Sequence, residues 1–527
     1  MNRARALYYM ARADFLERVR RYSFLLTLAG ALYLAYAVAT EKMWILVRNE
    51  YRGVYNSAWI GMLMTICCST WLSLVGFYIV KNSIRRDSDT RVGQILAATP
   101  MPKPVYTLAK TLSNFAVLAC MVLVLMLAAL AMQFLRSEAR PISLWQLWSP
   151  FVLVALPAML LTASLALLFE TLPVLRSGVG NILYFFLWTA LLAMGGTGTW
   201  DDPSGLRLLY RSTRAALHVA DSTNPSDFQF SLTIGGTHAA RTFVWNGIDW
   251  TAQLLLNRLF WVAAAAGLAL LASVFFTRFD PAKEWFRRRS RSLATSPAAP
   301  TLEETAPASS PVIAITSAQL TPMLRTSGRP RFPQLVASEL RLILKGQPWW
   351  WYVVAGGLLI AELTAPLSAA RQGVLLAAWI WPILLWSQMG CREARHATTT
   401  LLFSSERALT RQLPALWTAG VLLAASTGAG IGLRLMLIAD WQSFAAWIAA
   451  VLFIPSLALA LGIWSGNSVP FEALYTVWWY IGPGHQLPGL DFMGTTLASA
   501  RPEYFAFASA ILLALSYWRR RSLLGYA

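Results

Sequence analysis

Charge is scarce in this chain, and acidic charge scarcest. Of 527 residues only 13% are Asp, Glu, Lys or Arg, against about 25% in an ordinary soluble domain, and 25 acids face 44 bases. So thin a charged surface cannot hold a chain that is 57% hydrophobic in water. The formal charge of +19 would suit a nucleic-acid partner only if Lys and Arg formed a soluble basic face; here they punctuate apolar runs. Cysteine is equally sparse. Cys67, Cys68 and Cys120 lie inside apolar runs and Cys391 in a basic loop, which excludes a disulfide framework and argues against redox chemistry. His218, His238, His396 and His485 are scattered without an HExxH spacing, so no metal site is expected. No GxxxxGK[ST] phosphate loop occurs, so the chain is not an ATPase by that chemistry. Nor does any cluster of His, Asp, Glu or Cys share one membrane depth, as a membrane enzyme would need.

What the chain does have is long apolar runs. A helix crosses the hydrocarbon core with roughly 20 residues, and six runs of about that length precede residue 280: Tyr22 to Thr40, Ala58 to Val80, Leu108 to Leu135, Phe151 to Phe169, Ile182 to Gly196 and Leu254 to Phe276. Six more follow, at Trp349 to Pro366, Gly373 to Gly390, Leu413 to Ala439, Phe444 to Trp464, Val469 to Ile481 and Tyr504 to Trp518. The fifth of each set is short, as a broken or re-entrant helix would be. Arg18, Arg20, Arg21 and Ala37-Val38-Ala39 imitate a signal peptide, but Arg341 and Lys345 precede Trp349 in the same manner, where no signal can stand. With the amino terminus inside, 31 of the 44 Lys and Arg fall in cytoplasmic segments. The positive-inside rule then puts both termini in the cytoplasm.

The expected architecture is an all-α polytopic membrane protein of about 12 transmembrane helices. Residues 1–286 form a first six-span unit with a long outer loop at about 197–253, residues 287–331 a Ser-, Pro- and Ala-rich disordered linker, and residues 332–527 a second six-span unit. An amphipathic stretch in the outer loop, Leu206 to Leu217, suits the membrane surface. The halves echo one another. A shift of 306 places Arg86-Asp87 on Arg392-Glu393 and Ala109 on Ala415; a shift of 291 places Ser177 on Ser468, Leu183-Tyr184 on Leu474-Tyr475 and Trp188 on Trp479. An even number of spans per half makes the two repeats parallel, related by an axis along the membrane normal.

Between the second and third runs, Lys81 to Lys110 is too long and polar for a turn. The spacing predicts a helix over Ser83 to about Ala98, with Arg85, Arg86, Asp89 and Arg91 on a charged face and Ile84, Val92, Ile95 and Leu96 on an apolar stripe, stopped by Pro100, Pro102 and Pro104. Such a helix lies at the inner membrane surface, where a soluble partner can push on it.

This charged helix, followed by Gly93-Gln94-Ile95-Leu96-Ala97-Ala98-Thr99-Pro100 and by Tyr106 and Lys110 entering a span, resembles the permease subunits of type-2 ABC transporters. Arg392-Glu393 with Thr400-Leu401-Leu402-Phe403-Ser404-Ser405 resembles its counterpart, and Phe243 to Thr251, Thr277 to Pro281 and Phe471-Glu472 with Trp478 to Pro483 are similar to other parts of such permeases. The resemblance implies an exporter working by alternating access between the halves, with amphipathic cytoplasmic coupling helices. It implies ATPase-coupling residues at Arg85, Arg86, Asp87, Asp89, Arg91 and Gly93 and, in the second half, at Arg392, Glu393 and Arg395. The chain itself would carry no cofactor; ATP and magnesium would be bound by two copies, or a heterodimer, of a separate ATP-binding subunit. A secondary transporter of the major-facilitator type shares the six-plus-six plan, and Asp89-Thr90-Arg91-Val92-Gly93 faintly imitates its loop motif, but the loops here are long where that class has short ones. Of the charges near the membrane, Glu170, Glu362, Arg371, Arg434 and Glu472, most sit near a boundary. Glu362 is the deepest, and with Glu472 it is the candidate for a pathway or intramembrane polar role. The cargo is left open among lipids, peptides and amphipathic drugs.

Overall fold

The computed structural model describes residues 3–279 and 332–524, except for 41–42, 48–49, 137, 139–141, 177, 194–201, 221–229 and 235–240 in the first stretch and 397, 400–407, 488 and 496–500 in the second. The expected linker at 287–331 and the stretch Thr400 to Ser405 lie outside the described residues. Every one of the twelve apolar runs carries helix.

In the first stretch α1 (Arg3–Val19) and α2 (Tyr22–Ala39) lead through strands β1 (Met43–Val47) and β2 (Tyr51–Gly53) into α3 (Ser57–Cys67) and α4 (Ser73–Val80), which a wide π turn joins. Two short helices, α5 (Ser83–Asp89) and α6 (Val92–Ala98), precede the long α7 (Lys103–Arg136). Then come α8 (Leu144–Pro150), α9 (Leu156–Thr171), α10 (Gly178–Ala193), α11 (Leu206–Ala220), strands β3 (Phe230–Ile234) and β4 (Arg241–Phe243), and α12 (Ala252–Phe275). The second stretch runs α13 (Phe332–Leu344), α14 (Trp349–Thr364), the short α15 (Leu367–Ala369), α16 (Leu375–Ile380), α17 (Ile383–Trp386) and α18 (Arg392–Arg395). It ends with α19 (Ala408–Thr427), α20 (Ala429–Leu437), α21 (Trp441–Ser465), α22 (Val469–Ile481) and α23 (Pro502–Leu524).

Polar residues start the helices that apolar runs sustain. Asn56 Oδ1 accepts from Trp59 N at 2.8 Å to cap α3, and Asp440 accepts from Ser443 N at 3.1 Å to cap α21. Among the described residues five helical segments are long and apolar enough to cross a membrane: Ser57–Asp89, Lys103–Leu135, Leu144–Thr171, Ala252–Phe275 and Trp441–Ser465. They become six if Leu409–Thr427 and Ala429–Leu437, bent by 69° at Gly428, count as one span. Leu123, Leu127, Leu259 and Val274 in the first stretch, and Val353, Ile360, Phe507 and Ile511 in the second, are exposed. An apolar exterior on this scale needs lipid rather than water around it.

Packing repeats between the stretches. The polar helix α1 lies on α7 and the amphipathic α13 on α19, while α9 packs on α12 and α21 on α23. Two large apolar cores result, one per stretch, with a smaller cluster around Tyr106 and Phe276 in the first; Val477 and Tyr480 reach into the first core and Ile182 into the second.

Three features depart from the reading of the sequence. The chain is mostly helical, but not wholly: β3-β1-β2-β4 form a sheet, with β1 antiparallel to β3 from Met43↔Ile234 to Val47↔Phe230 and β2 parallel to β4. The β-branched and aromatic content of Met43-Trp44-Ile45-Leu46-Val47 suits a strand, but at five residues it is too short to stand out among the membrane-sized runs. Helix α11 exists, but its apolar side, with Leu209 and Leu217, is buried against protein, and Thr213 Oγ1 lies 3.3 Å from Met62 Sδ of α3. The break expected in the fifth runs falls at Gly428 instead, and α10 and α22 are each continuous.

Helices α3 and α8 meet where only glycine fits, since a Cβ on Gly61 would lie 2.4 Å from the Leu147 carbonyl oxygen. Gly61→Ala is therefore expected to destabilise the detergent-solubilised protein by about 1–3 kcal/mol, read as a fall in unfolding temperature. Gly267→Ala in α12, with nothing within 4 Å of its added carbon, leaves that temperature unchanged or slightly higher.

Candidate functional site

Helix α3 begins beside the sheet, with Asn56 donating to the Trp245 carbonyl at 2.8 Å. Its continuation α4 ends at Val80, whose carbonyl accepts from Arg18 at 3.2 Å. At 1.5 Å per residue these points are roughly 35 Å apart, so the sheet and the basic segments occupy opposite ends of the bundle. The chemistry concentrates at the basic end, in two ion networks and the seam between them.

In the first network Lys110 of α7, 2% exposed, reaches Asp14 of α1 at 2.8 Å and Asp87 of α5 at 2.7 Å. Arg86 bonds Asp14 at 2.6 Å and lies 3.2 Å from Glu17, and the Tyr106 hydroxyl donates to Asp87 at 2.8 Å. Glu170 of α9 accepts from Ser83 N at 2.9 Å and Ile84 N at 2.6 Å, satisfying the free amides that open α5. Helix α5 is thereby bolted to three longer helices. The second network has the same plan. Arg392 of α18 pairs with Glu339 of α13, Glu393 pairs with Arg520 of α23 at 3.0 Å, and Gln412 of α19 donates to both carboxylates at 3.4 Å. In each network a helix ahead of the first long apolar helix supplies the acid that holds an Arg, and the next residue along is a buried acid held by a cation.

The expected coupling residues therefore separate into two groups. Arg86, Asp87, Arg392 and Glu393 are engaged inside the chain. Arg85 is half-exposed and loosely paired with the exposed Asp89 at 3.7 Å, Arg91 is exposed, and Arg395 is exposed while donating to Gln388 Oε1 at 3.0 Å. The single helix expected over Ser83 to Ala98 is broken: Arg91 takes a left-handed φ of 60° between α5 and α6. Gly93 sits under Phe279, where a Cβ would come within 2.6 Å of the ring. The apolar stripe divides too, Ile84 and Leu96 packing inward with Tyr106 and Phe276 while Val92 and Ile95 are exposed. Cys391 is buried at the head of α18, and burial pushes its thiol up to about 11, which leaves it without nucleophilic character at neutral pH.

Between the networks α10 packs on α22. Asn181 donates to the buried Glu472 of α22 and accepts from Lys81 at 2.6 Å; Lys81 also donates to the Leu175 carbonyl at 3.1 Å. Asn181 and Glu472 are 291 positions apart, the second register of the sequence, so the two positions that correspond touch each other. Other bonds recur in pairs. Tyr184 donates to the Ser73 carbonyl at 2.9 Å and Tyr475 to the Trp379 carbonyl at 3.0 Å. Trp188 donates to the Thr70 carbonyl at 3.2 Å and Trp479 to the Leu376 carbonyl at 3.0 Å. The donors of each pair differ by 291 and the acceptors by 306. Phe185 and Tyr480 meet edge to face at 5.3 Å, and Phe186 meets Trp479 at 6.3 Å.

Glu362 stands elsewhere. Fully buried on α14, it accepts from Gly430 N at 2.9 Å and Ile431 N at 3.3 Å, capping α20 just past the bend, while Arg434 holds the Glu362 and Ala365 carbonyls at 2.7 Å each. Sequence reasoning did not single out Asp14, Lys81, Lys110, Asn181, Glu339 or Arg520 as site residues. The 291 register did pair Asn181 with Glu472 in principle, but an isolated Asn in an apolar run carries no signal by itself.

Fold and site together define a helical membrane protein with a polar seam and two internally neutralised ion networks at one end. No family model, no curated protein and no solved structure matches the chain.

Removing Lys110 leaves the buried Asp87 with only the Tyr106 hydroxyl and Arg86 at 3.8 Å, while Asp14 keeps Arg86 at 2.6 Å. Lys110→Met is expected to cost about 3 kcal/mol, read as lost thermal stability in detergent, and adding Asp87→Asn to the same chain recovers most of that loss.

Proposed function

We propose that this chain is the transmembrane permease subunit of an ATP-driven ABC transporter, an exporter, and that it supplies both halves of the transport pathway. On this reading the twelve apolar runs are twelve spans in two parallel six-helix repeats, set in a bacterial inner membrane with both termini and the ion networks in the cytoplasm. The paired hydrogen bonds at the 291 and 306 registers support the repeat, and the contact of Asn181 with Glu472 supports an axis at the seam of α10 and α22.

The observation that carries the reading is the rigid mounting of α5. A lever transmits force only if it is fixed to what it moves. Arg86, Asp87 and Glu170 fix α5 to α1, α7 and α9, while Arg85, Asp89, Arg91, Val92 and Ile95 remain presented outward. The segment Arg392–Arg395 is mounted in the same way in the second half. Two copies of an ATP-binding subunit, or a heterodimer, would press on these two elements, binding ATP and magnesium themselves. Closure of that pair would draw the cytoplasmic ends of the halves together and open the seam outward.

The outward residues, rather than the buried pairs, then govern docking. Arg85→Glu with Arg91→Glu and Ile95→Asp is expected to abolish copurification of an ATP-hydrolysing subunit from the native host while the chain's own size-exclusion profile and unfolding temperature stay unchanged. Undiminished copurification from that triple variant contradicts the reading.

A further inference from the structure

Away from the ion networks, a small cavity of ≈ 30 Å³ lies where α4, α9 and α10 meet. Its polar lining comes from Ser69 and Ser73 on the second apolar run, Thr162 of α9, Tyr184 and Trp188 of α10, and Ser204 just ahead of α11. Ser69 belongs to the π turn Cys68–Leu72 that joins α3 to α4, about halfway along the run from Ser57 to Val80. Such turns recur at functional sites.

The donors of this lining are spent on the protein itself, with one exception. Ser73 Oγ donates to the Ser69 carbonyl at 2.7 Å, Thr162 Oγ1 to the Ala158 carbonyl at 2.9 Å and the Tyr184 hydroxyl to the Ser73 carbonyl at 2.9 Å. Trp188 Nε1 donates to the Thr70 carbonyl at 3.2 Å and to Ser73 Oγ at 3.0 Å. A serine inside a helix ordinarily returns its hydroxyl to a carbonyl one turn back, as Thr70 does to Ile66 at 2.7 Å. Ser69 does not: it is 2% exposed, and its Oγ has no hydrogen-bond partner. A buried hydroxyl left this way costs free energy until something bonds it.

The second half keeps the frame and fills the gap. Tyr475 and Trp479 repeat the bonds of Tyr184 and Trp188, to the carbonyls of Trp379 and Leu376. In the 306 register of those acceptors, however, Ser69 becomes Leu375 and Ser73 becomes Trp379, both buried, with the Trp379 indole donating to the Ala424 carbonyl at 3.1 Å. The hydroxyls of the first half are therefore no requirement of the repeated frame.

What the cavity offers is the Ser69 hydroxyl and the spare lone pairs of Thr162 and Tyr184, so a ligand must bring a hydrogen to donate. Asp, Glu, Lys and Arg are absent from the lining among the described residues, and an unpaired charge there would cost several kcal/mol. The volume admits one hydroxyl group, or about one water, and no headgroup. Leu165, Leu191 and Leu192, which also line it, are half-buried and continue into the apolar exterior.

We propose that this cavity binds the hydroxyl group of an uncharged lipid alcohol, whose hydrocarbon lies outside it along α9 and α10, at one site per chain. The proposal is independent of the transporter reading.

The test uses the full chain in nanodiscs, with a long-chain alcohol carrying a photoreactive diazirine as probe and the unmodified alcohol, its methyl ether and the matching carboxylate as competitors. The expected result is saturable labelling of peptides from α9 or α10, displaced by the alcohol and not by the ether, which has no hydrogen to donate, nor by the carboxylate. Ser69→Ala weakens binding about tenfold, while the unfolding temperature of the ligand-free chain holds or rises because an unpartnered hydroxyl has been removed. Ser69→Leu, which copies the second half, abolishes binding. Equal displacement by alcohol and ether, or unchanged binding in Ser69→Ala, overturns the proposal. Absence of saturable labelling overturns it too and leaves the cavity to water alone, and a fall in the unfolding temperature of Ser69→Ala overturns it by giving the hydroxyl a structural role.

Discussion

A carboxylate or ammonium withdrawn from water costs several kcal/mol unless a partner of opposite sign or a set of donors receives it, and most of the basic end of this molecule is arranged around that constraint. Lys110 is shared between Asp14 and Asp87, Glu393 is met by Arg520, Glu170 spends its charge on the amides of α5, and Glu472 is met by Asn181. Each partnership joins helices far apart in sequence. The ions therefore fix where α1, α5, α7 and α9 stand relative to one another more than they add net stability. Apolar packing holds the two cores; the buried charges select one arrangement of them.

That division of labour explains which charges are left over. Once the buried pairs are satisfied, the residues still turned outward at α5 and α6 are Arg85, Asp89, Arg91, Val92 and Ile95, a small mixed surface on a rigid mount. The left-handed residue Arg91 turns the chain between α5 and α6, so that Gly93 and Leu96 face Phe279 and its neighbours while Ile95 faces out.

The helical character and the positions of the apolar runs were legible in the sequence because a membrane-sized run of Leu, Ala, Val and Phe has few other uses. The pairing of Arg86-Asp87 with Arg392-Glu393 was legible as a register, and both pairs prove to sit in ion networks of one plan. What the sequence could not give was direction. Nothing in the string Arg85-Arg86-Asp87 says that the second and third residues turn inward to Asp14 and Lys110 while the first turns out, because that depends on a helix 70 residues earlier. Glu362 was legible as the deepest acid in an apolar run; that its Oε2 accepts from the Gly430 and Ile431 amides just past the bend at Gly428 was not, because those residues lie 68 and 69 positions away. The strands escaped notice because Met43-Trp44-Ile45-Leu46-Val47 is too short to register as a membrane-sized apolar run.

The seam of α10 and α22 is where the two halves must meet if they are to move against each other, and it is held by the contact between corresponding positions Asn181 and Glu472. The most direct measurement places cysteines at both positions in a full-length chain freed of its native cysteines, with a protease site introduced at residue 310. After mild oxidation or a short bis-maleimide in native membranes and cleavage of the linker, non-reducing electrophoresis reports whether the halves remain joined. The account requires a single full-length band that reverts to two fragments when either cysteine is absent. Two fragments from the double-cysteine chain would show that α10 and α22 do not face each other, and with that the shared axis and the seam would fall together.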